Sequence, residues 1–382
     1  MVASMSLRVD AQFSGGNVAA VRIQQNDTHS RIFFSATPCG GAQALWFYFR
    51  MIESDPNASQ PETVTLTLEF AQNLTGCDIP SNLRPVFRGE GQSWNRTRAG
   101  SISHENGQIS VSWSIPYPSS KTEFAFCYPY GQVELKTLIQ KSKGYWNAST
   151  IGLTNNGRFI QRISNNIANA SSLPGLYLIA QQHAGETPGS WVLDGILQHF
   201  SRLNEGRMLV WAVPLADAGG IERGHYGRGG ISTDIGHAWG NPPLRYETRT
   251  IQSDLALWHK QCQPSLVLDL QSPGGTESDG VYCYLPQNEN PDKAPDSEKW
   301  ANVLRVTLGD TYAASNFKRE RDPCPEFRGR SLDEYARQTL STCALSLVIP
   351  YAACGKITLA PKQYREIGSR IARAAIQRIL NA

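Results

Sequence analysis

The hydrophobic pattern of this chain changes its period partway along, and that change limits the folds open to it. Up to about residue 130, apolar and polar residues alternate. Val64, Leu66, Leu68 and Phe70 interleave with Thr65, Thr67 and Glu69, and Ile109, Val111, Trp113 and Ile115 interleave with Ser110, Ser112 and Ser114. A repeat of two sets one face of a strand in a core and the other in water. Residues 46–49 and 124–128 read as further strands, with residues 54–61 and 101–107 as polar turns between them. Short strands joined in this way predict an antiparallel β-sandwich.

After Pro129-Tyr130-Gly131 the alternation stops. Continuous apolar runs at residues 176–180, 208–213, 266–270 and 344–349 are separated by helical stretches, among them 188–200 and 249–261. Strands that are apolar on both faces belong to a sheet covered on both sides, so this part predicts an α/β unit with a mixed, largely parallel sheet. A last helix from about Pro361 carries Tyr364, Ile367, Ile371, Ala375 and Ile379 on one stripe, which is a packing face. Polar segments 287–298 and 316–330 read as surface loops. At 382 residues the chain exceeds one ordinary core. The division expected is a sandwich over residues 1–132 and an α/β domain over 133–382.

Several function classes are set aside by composition. A net charge of +3 with no dense Lys/Arg run gives no footprint for nucleic acid. No apolar run approaches the roughly 18 residues of a membrane span. The first eight residues lack the apolar core of a signal peptide, so a cytoplasmic location is the expectation. On that footing the Asn-x-Ser/Thr triplets at Asn57, Asn73 and Asn95 are chance matches. The eight cysteines form no C-x-x-C pair, and Cys127 and Cys283 read as buried thiols.

Function in an open α/β sheet gathers at the carboxyl ends of its strands. His183 and Glu186 stand at such an end, just after the 176–180 run, with Thr187 and Pro188 suited to capping and starting the next helix. An imidazole and a carboxylate are both good zinc ligands, but a catalytic zinc needs three protein ligands and an open position. The segment His183-Ala184-Gly185-Glu186-Thr187-Pro188-Gly189-Ser190-Trp191 resembles the first zinc motif of the M14 zinc carboxypeptidases. Phe126-Cys127-Tyr128-Pro129-Tyr130, Phe13-Ser14-Gly15-Gly16-Asn17 and Trp46-Phe47-Tyr48-Phe49-Arg50 are similar to segments of the cytosolic carboxypeptidase branch, which carries a β-sandwich ahead of its catalytic domain.

What the resemblance implies holds at first and then departs. His183 and Glu186 match the first two zinc ligands. The family's Asp-x-Asn-Arg, which grips the substrate's terminal carboxylate, is here Asp234-Ile235-Gly236-His237. Gln271 stands where the third zinc ligand is a histidine, and an amide oxygen is a poor ligand for zinc. Val348 stands at the general base, and valine cannot move a proton. Arg228 lies near a family arginine that polarises the scissile carbonyl. Arg228, Gly236, His237 and Ser272 are therefore the substrate-side candidates, with Gln271 as the weak third metal position.

Plainer readings stand beside these. His183 and Glu186 serve equally as loop hydrogen-bonding residues, His237 as a replacement ligand or a polar pocket residue, and Arg228 as an anion partner or a solvated side chain on a Gly-rich loop. Asp269 reads as a partner at a strand end, and Ser272 and Ser346 lack the His and Asp of a nucleophile. The resulting expectation is a carboxypeptidase-like protein with weakened or lost zinc and impaired catalysis. Its cleft would take a peptide or small molecule or serve only as a structural surface, and its sandwich would take a protein partner. The alternative is an active zinc-dependent carboxypeptidase or amide hydrolase with a remodelled site.

Overall fold

The computed structural model describes residues 7–25, 29–39, 43–53, 63–72, 83–116, 120–165, 167, 170–228, 234–272, 274–275, 277–285, 294–320 and 329–380. Among the described residues ten strands build the first part: β1 (Leu7–Asp10), β2 (Ala19–Gln25), β3 (Ser30–Ser35), β4 (Tyr48–Glu53), β5 (Thr63–Leu68), β6 (Val86–Gly89), β7 (Asn95–Arg96), β8 (Ser101–Glu105), β9 (Gln108–Pro116) and β10 (Lys121–Ala125). Among the described residues they form two five-stranded sheets, ordered β1-β4-β10-β6-β7 and β2-β3-β5-β9-β8. Every pairing is antiparallel except β3 with β5, which run parallel. The two inner faces meet in an aromatic core. Phe47 stacks on Phe124 with centroids 5.6 Å apart, and Phe34 meets Phe49 edge-on at 5.0 Å.

The period-two segments lie where alternation puts them, with Val64, Leu66, Leu68, Val111, Trp113 and Ile115 all buried. Two local expectations are corrected. Residues 46 and 47 precede the strand, which starts at Tyr48; Trp46 is buried in the loop before it and donates to the Gly15 carbonyl at 2.9 Å. Residues 101–105 are strand β8, paired antiparallel with β9, and only 106–107 turn. An outer strand with a single apolar residue, Ile102, shows no alternation to detect. The turn expected at 54–61 lies outside the described residues, as do Asn57 and Asn73.

The second part adds β11 (Asn147–Leu153), β12 (Phe159–Ser164), β13 (Pro174–Ala180), β14 (Leu209–Val213), β15 (Gln263–Gln271), β16 (Val281–Leu285), β17 (Ala313–Glu320) and β18 (Ala344–Val348), and a small hairpin of β19 (Ala353–Cys354) and β20 (Ile357–Thr358). The eight-stranded sheet runs β11-β12-β14-β13-β15-β18-β16-β17. Its centre, β14-β13-β15-β18, is parallel, while β12 and β16 pair antiparallel to that centre on either side. The helices are α1 (Gln132–Lys141), α2 (Thr187–Leu203), α3 (Ala218–Arg223), α4 (Tyr246–Gln261), α5 (Ala294–Tyr312), α6 (Leu332–Leu340) and α7 (Pro361–Leu380).

Strand β13 shows why the central strands are apolar throughout. Leu176, Leu178 and Ala180 face a core shared with Val192 and Ile196 of α2 and Ile367 and Ile371 of α7. Tyr177 and Ile179 face the opposite core, with Ile251 and Trp258 of α4 and Leu332 of α6. The polar segments expected as loops are shorter than foreseen: Ala294 already starts α5, and 316–320 complete β17. Residues 286–293 and 321–328 lie outside the described residues. Cys127 and Cys283 are buried thiols. Among the described residues no helix is long and apolar enough to cross a membrane.

Candidate functional site

Strand β13 ends at Ala180, and the chain turns sharply at Gln181, a non-glycine residue in the left-handed region (φ 49°). Its side chain sustains that conformation. The amide donates to the Ala184 carbonyl at 2.7 Å and the oxygen accepts from Ser190 Oγ at 2.7 Å. A constrained backbone at a strand end is a frequent way of aiming a functional loop. The loop delivers His183 and Glu186 into the interior, each 1% exposed. Glu186 is the residue before the helix and Thr187 the first within it, so the capping role expected of Thr187 is not taken. Pro188 stands in the first turn as expected.

A buried network of charges closes around these two residues. His183 Nε2 lies 2.7 Å from Asp234 Oδ1, and its Nδ1 lies 2.8 Å from Glu186 Oε1 without the alignment of a hydrogen bond. Arg228 Nε donates to Glu186 Oε1 at 2.6 Å, and the Ser272 N–H donates to Oε2 at 2.7 Å. His237 Nδ1 is 3.3 Å from Asp234 Oδ2. Asp234 and His237 come from one short 3-10 turn at Ile235–His237. Trp239 pins that turn, donating to Gln182 Oε1 at 2.7 Å and to the Arg330 carbonyl at 3.0 Å.

The charges tune one another. Burial by itself would raise the Glu186 carboxyl, but Arg228 and His183 outweigh it and hold it down at about 2. Burial would lower His183, but the Asp234 and Glu186 carboxylates carry it up to about 9. Burial also works against the Asp234 carboxylate, which His183 and His237 hold far below the ordinary range. The result is two carboxylates facing two cations, Arg228 and a protonated His183.

The remaining expected residues fall around this network in different roles. Gln271, 3% exposed at the end of β15, turns its amide nitrogen onto the Asp269 carboxylate. Asp269 is thus the strand-end partner foreseen for it. Ser272 is buried and uses its backbone to hold Glu186, a placement that keeps it from solvent. Arg228 is not solvated on its loop but locked to Glu186; Gly229 and Gly230 lie outside the described residues. Gly236 packs flat against the His183 ring, where a Cβ would lie 2.7 Å from Cε1 and 2.8 Å from Nε2. Val348 is fully buried at the end of β18, in an apolar cluster with Tyr282 and Ala314. His237 keeps a side chain 22% exposed.

These residues do not fit a catalytic zinc at the position the resemblance implies. His183 Nδ1 and Glu186 are suitable donors, but the third position offers an amide already engaged with Asp269. Arg228 holds the Glu186 oxygen that faces Nδ1, and its positive charge opposes a divalent ion there. Asp234, Tyr226 and Tyr351 were missed as site residues. The Gly185 N–H donates to the Tyr226 carbonyl at 2.9 Å, and Tyr351 Oη lies 3.4 Å from the Gly185 carbonyl, so both tyrosines clamp the loop. Only the place of Asp234 beside Gly236-His237 offered a signal in the sequence.

No protein-family model matches the chain. It is 22% identical over 259 residues to cytosolic carboxypeptidase 6 of Mus musculus, covering 62% of this chain and 47% of that one. To cytosolic carboxypeptidase 6 of Caenorhabditis elegans it is 22% identical over 339 residues, covering 81% and 71%. The chain therefore spans about half the length of the mouse relative. Among solved structures, a metallo-carboxypeptidase from Burkholderia cenocepacia superposes with a TM-score of 0.77 at 15% identity, covering 98% of this chain and 99% of that one. A metallo-carboxypeptidase from Pseudomonas aeruginosa superposes at 0.73 with 18% identity, covering 98% and 99%. Superposing on these structures over nearly its full length, the chain has a metallo-carboxypeptidase-like fold.

Proposed function

We propose that this carboxypeptidase-like chain does not turn over peptides, and that the face at the carboxyl ends of β13, β15 and β18 binds a peptide or small molecule without cleaving it. The observation that carries this reading is Val348, fully buried against Tyr282 and Ala314 where a general base would be needed. Loss of such a base typically costs about 100- to 10,000-fold in rate. Two further features support it. Glu186 is consumed by Arg228 and Ser272, and Gly236 and His237 leave no Asn-Arg pair for a terminal carboxylate. The sandwich is the second surface proposed for a protein partner.

The test is release of C-terminal residues from a peptide panel, with and without a chelator. The expected result is no release above background from the unmodified chain. The double variant Gln271→His and Val348→Glu gains zinc affinity yet little turnover, because the carboxylate grip is still missing. Strong, chelator-sensitive release by the unmodified chain would overturn the reading in favour of a remodelled zinc hydrolase.

A further inference from the structure

Strand β11 forms one outer edge of the large sheet and pairs only with β12. Among the described residues no hydrogen bond reaches its other side. Its sequence, Asn147-Ala148-Ser149-Thr150-Ile151-Gly152-Leu153, contains no charge and no proline. An edge of this kind is a template for a further strand, and proteins ordinarily block it with charged side chains. The opposite edge is blocked in that way, since β17 carries Lys318, Arg319 and Glu320. We propose that two copies of this chain associate through β11, antiparallel about a two-fold axis, joining their large sheets into one.

The surroundings of the edge favour this occupant. The flank of α4 nearest β11 carries Tyr246, Thr250, Ser253 and Leu257, which follow one another at helical spacing and are all uncharged. Thr250 places that flank beside the strand, because a Cβ on Gly152 would stand 2.6 Å from its Cγ2. Leu153 and Phe159 are cross-strand partners at the hairpin end of the same edge. Leu153, Phe159, Tyr246 and Leu257 are between 43% and 60% exposed, a gathering of large apolar side chains of the kind that marks an association surface. The ion pair beneath it, Arg162 with Asp254 at 2.9 Å, is neutralised within the chain.

Symmetry selects a second copy over an unrelated strand. In a two-fold pair the patch on one protomer meets the same patch on its partner, so every charge in it would face its like. The strand and the α4 flank have none to repel. Each β11 also presents the unpaired N–H and C=O groups that the other lacks, so one antiparallel contact satisfies both edges. A bulge between Thr150 and Gly152 interrupts the strand, which leaves residues 147–150 as the regular run for pairing. The inference goes beyond the functional reading above and does not depend on it, since mass in solution and peptide release are read separately.

The experiment is sedimentation of the full chain over a series of about 1–100 µM, with amide hydrogen exchange at both ends of the series and folding of each variant checked by its thermal melt. A reversible monomer–dimer equilibrium is expected, with the β11 amides exchanging more slowly as the dimer forms. Thr150→Lys and Leu257→Lys should each weaken the dimer at least about tenfold, since symmetry puts each lysine into the contact twice. Val306→Lys, at an exposed apolar residue of α5, should leave it unchanged. A chain that stays monomeric throughout overturns the proposal. So does a dimer that survives both lysine variants, or one whose β11 amides exchange at the monomer's rate. Loss of the dimer in Val306→Lys would overturn it by moving the contact to α5, and growth beyond the dimer would overturn it because a two-fold contact closes.

Discussion

Glu186 is a carboxylate taken wholly out of water and held on both oxygens, one by Arg228 and one by the Ser272 N–H. Removing one partner of such a buried pair costs more than the pair contributes, because the remaining charge is stranded. Arg228→Met should therefore lower stability by about 3 kcal/mol, read as a shift in the urea midpoint at an unchanged slope. The same network dictates a pH window. Glu186, held at about 2 against an ordinary 4.5, contributes stability above pH 4.5 that is lost as pH falls through about 2. His183, raised to about 9 against an ordinary 6.5, contributes stability below pH 6.5 that is lost as pH rises through about 9. Stability against pH should peak between about 4.5 and 6.5 and decline on both sides. A profile flat from pH 5 to 9 would mean that His183 keeps its ordinary pKa in the folded chain. At this scale the sequence was partly legible. His183, Glu186, Gln271 and Val348 could be named from their segments, but not that Arg228 would occupy Glu186.

Helices α2 and α7 lie side by side on one face of the large sheet, and the fit between them is set by glycine. A Cβ on Gly368 would stand 2.0 Å from the Val192 carbonyl and 2.7 Å from the Ile196 N–H nitrogen, both backbone atoms that cannot rotate away. Gly368→Ala must push the helices apart, at a cost of about 1–3 kcal/mol and a lower melting temperature. An unchanged melt would show that the helices yield without penalty. The stripe of Tyr364, Ile367 and Ile371 announced α7 in advance because helical packing writes a period of 3.6 into a sequence. Strand β8 was not announced, since an outer strand facing water on much of its surface leaves no such imprint. The parallel pairing of β3 with β5 was equally hidden, because alternation reports which face is buried and not which strand lies alongside.

Across the whole molecule, the sandwich and the α/β part share apolar contacts. Phe126 meets Tyr351 with ring centroids 4.8 Å apart. Arg96, on β7, donates to the Tyr351 carbonyl at 2.9 Å, the Leu359 carbonyl at 3.0 Å and the Arg84 carbonyl at 2.6 Å. A part-buried guanidinium that satisfies carbonyls on both sides joins the two parts more firmly than a flexible linker would. Calorimetry should therefore show one cooperative transition. Arg96→Leu should lower it as a whole by at least about 2 kcal/mol, having left several buried carbonyls without a donor. Two separate transitions, with only the first moved by the variant, would show that the parts unfold independently.

The change of period near residue 130 and the placing of His183, Glu186 and Gln271 at or just beyond strand ends were determined by the sequence alone, because periodicity and strand termination are local properties of the chain. Tertiary structure decided the chemistry. Arg228 and Glu186 are 42 residues apart, and Asp234 and His183 are 51 apart. Such pairs meet only because parallel strands joined by helical crossovers bring their carboxyl ends to one edge of the sheet. Whether Glu186 faces a metal or a guanidinium depends on that meeting, and no local pattern carries the information.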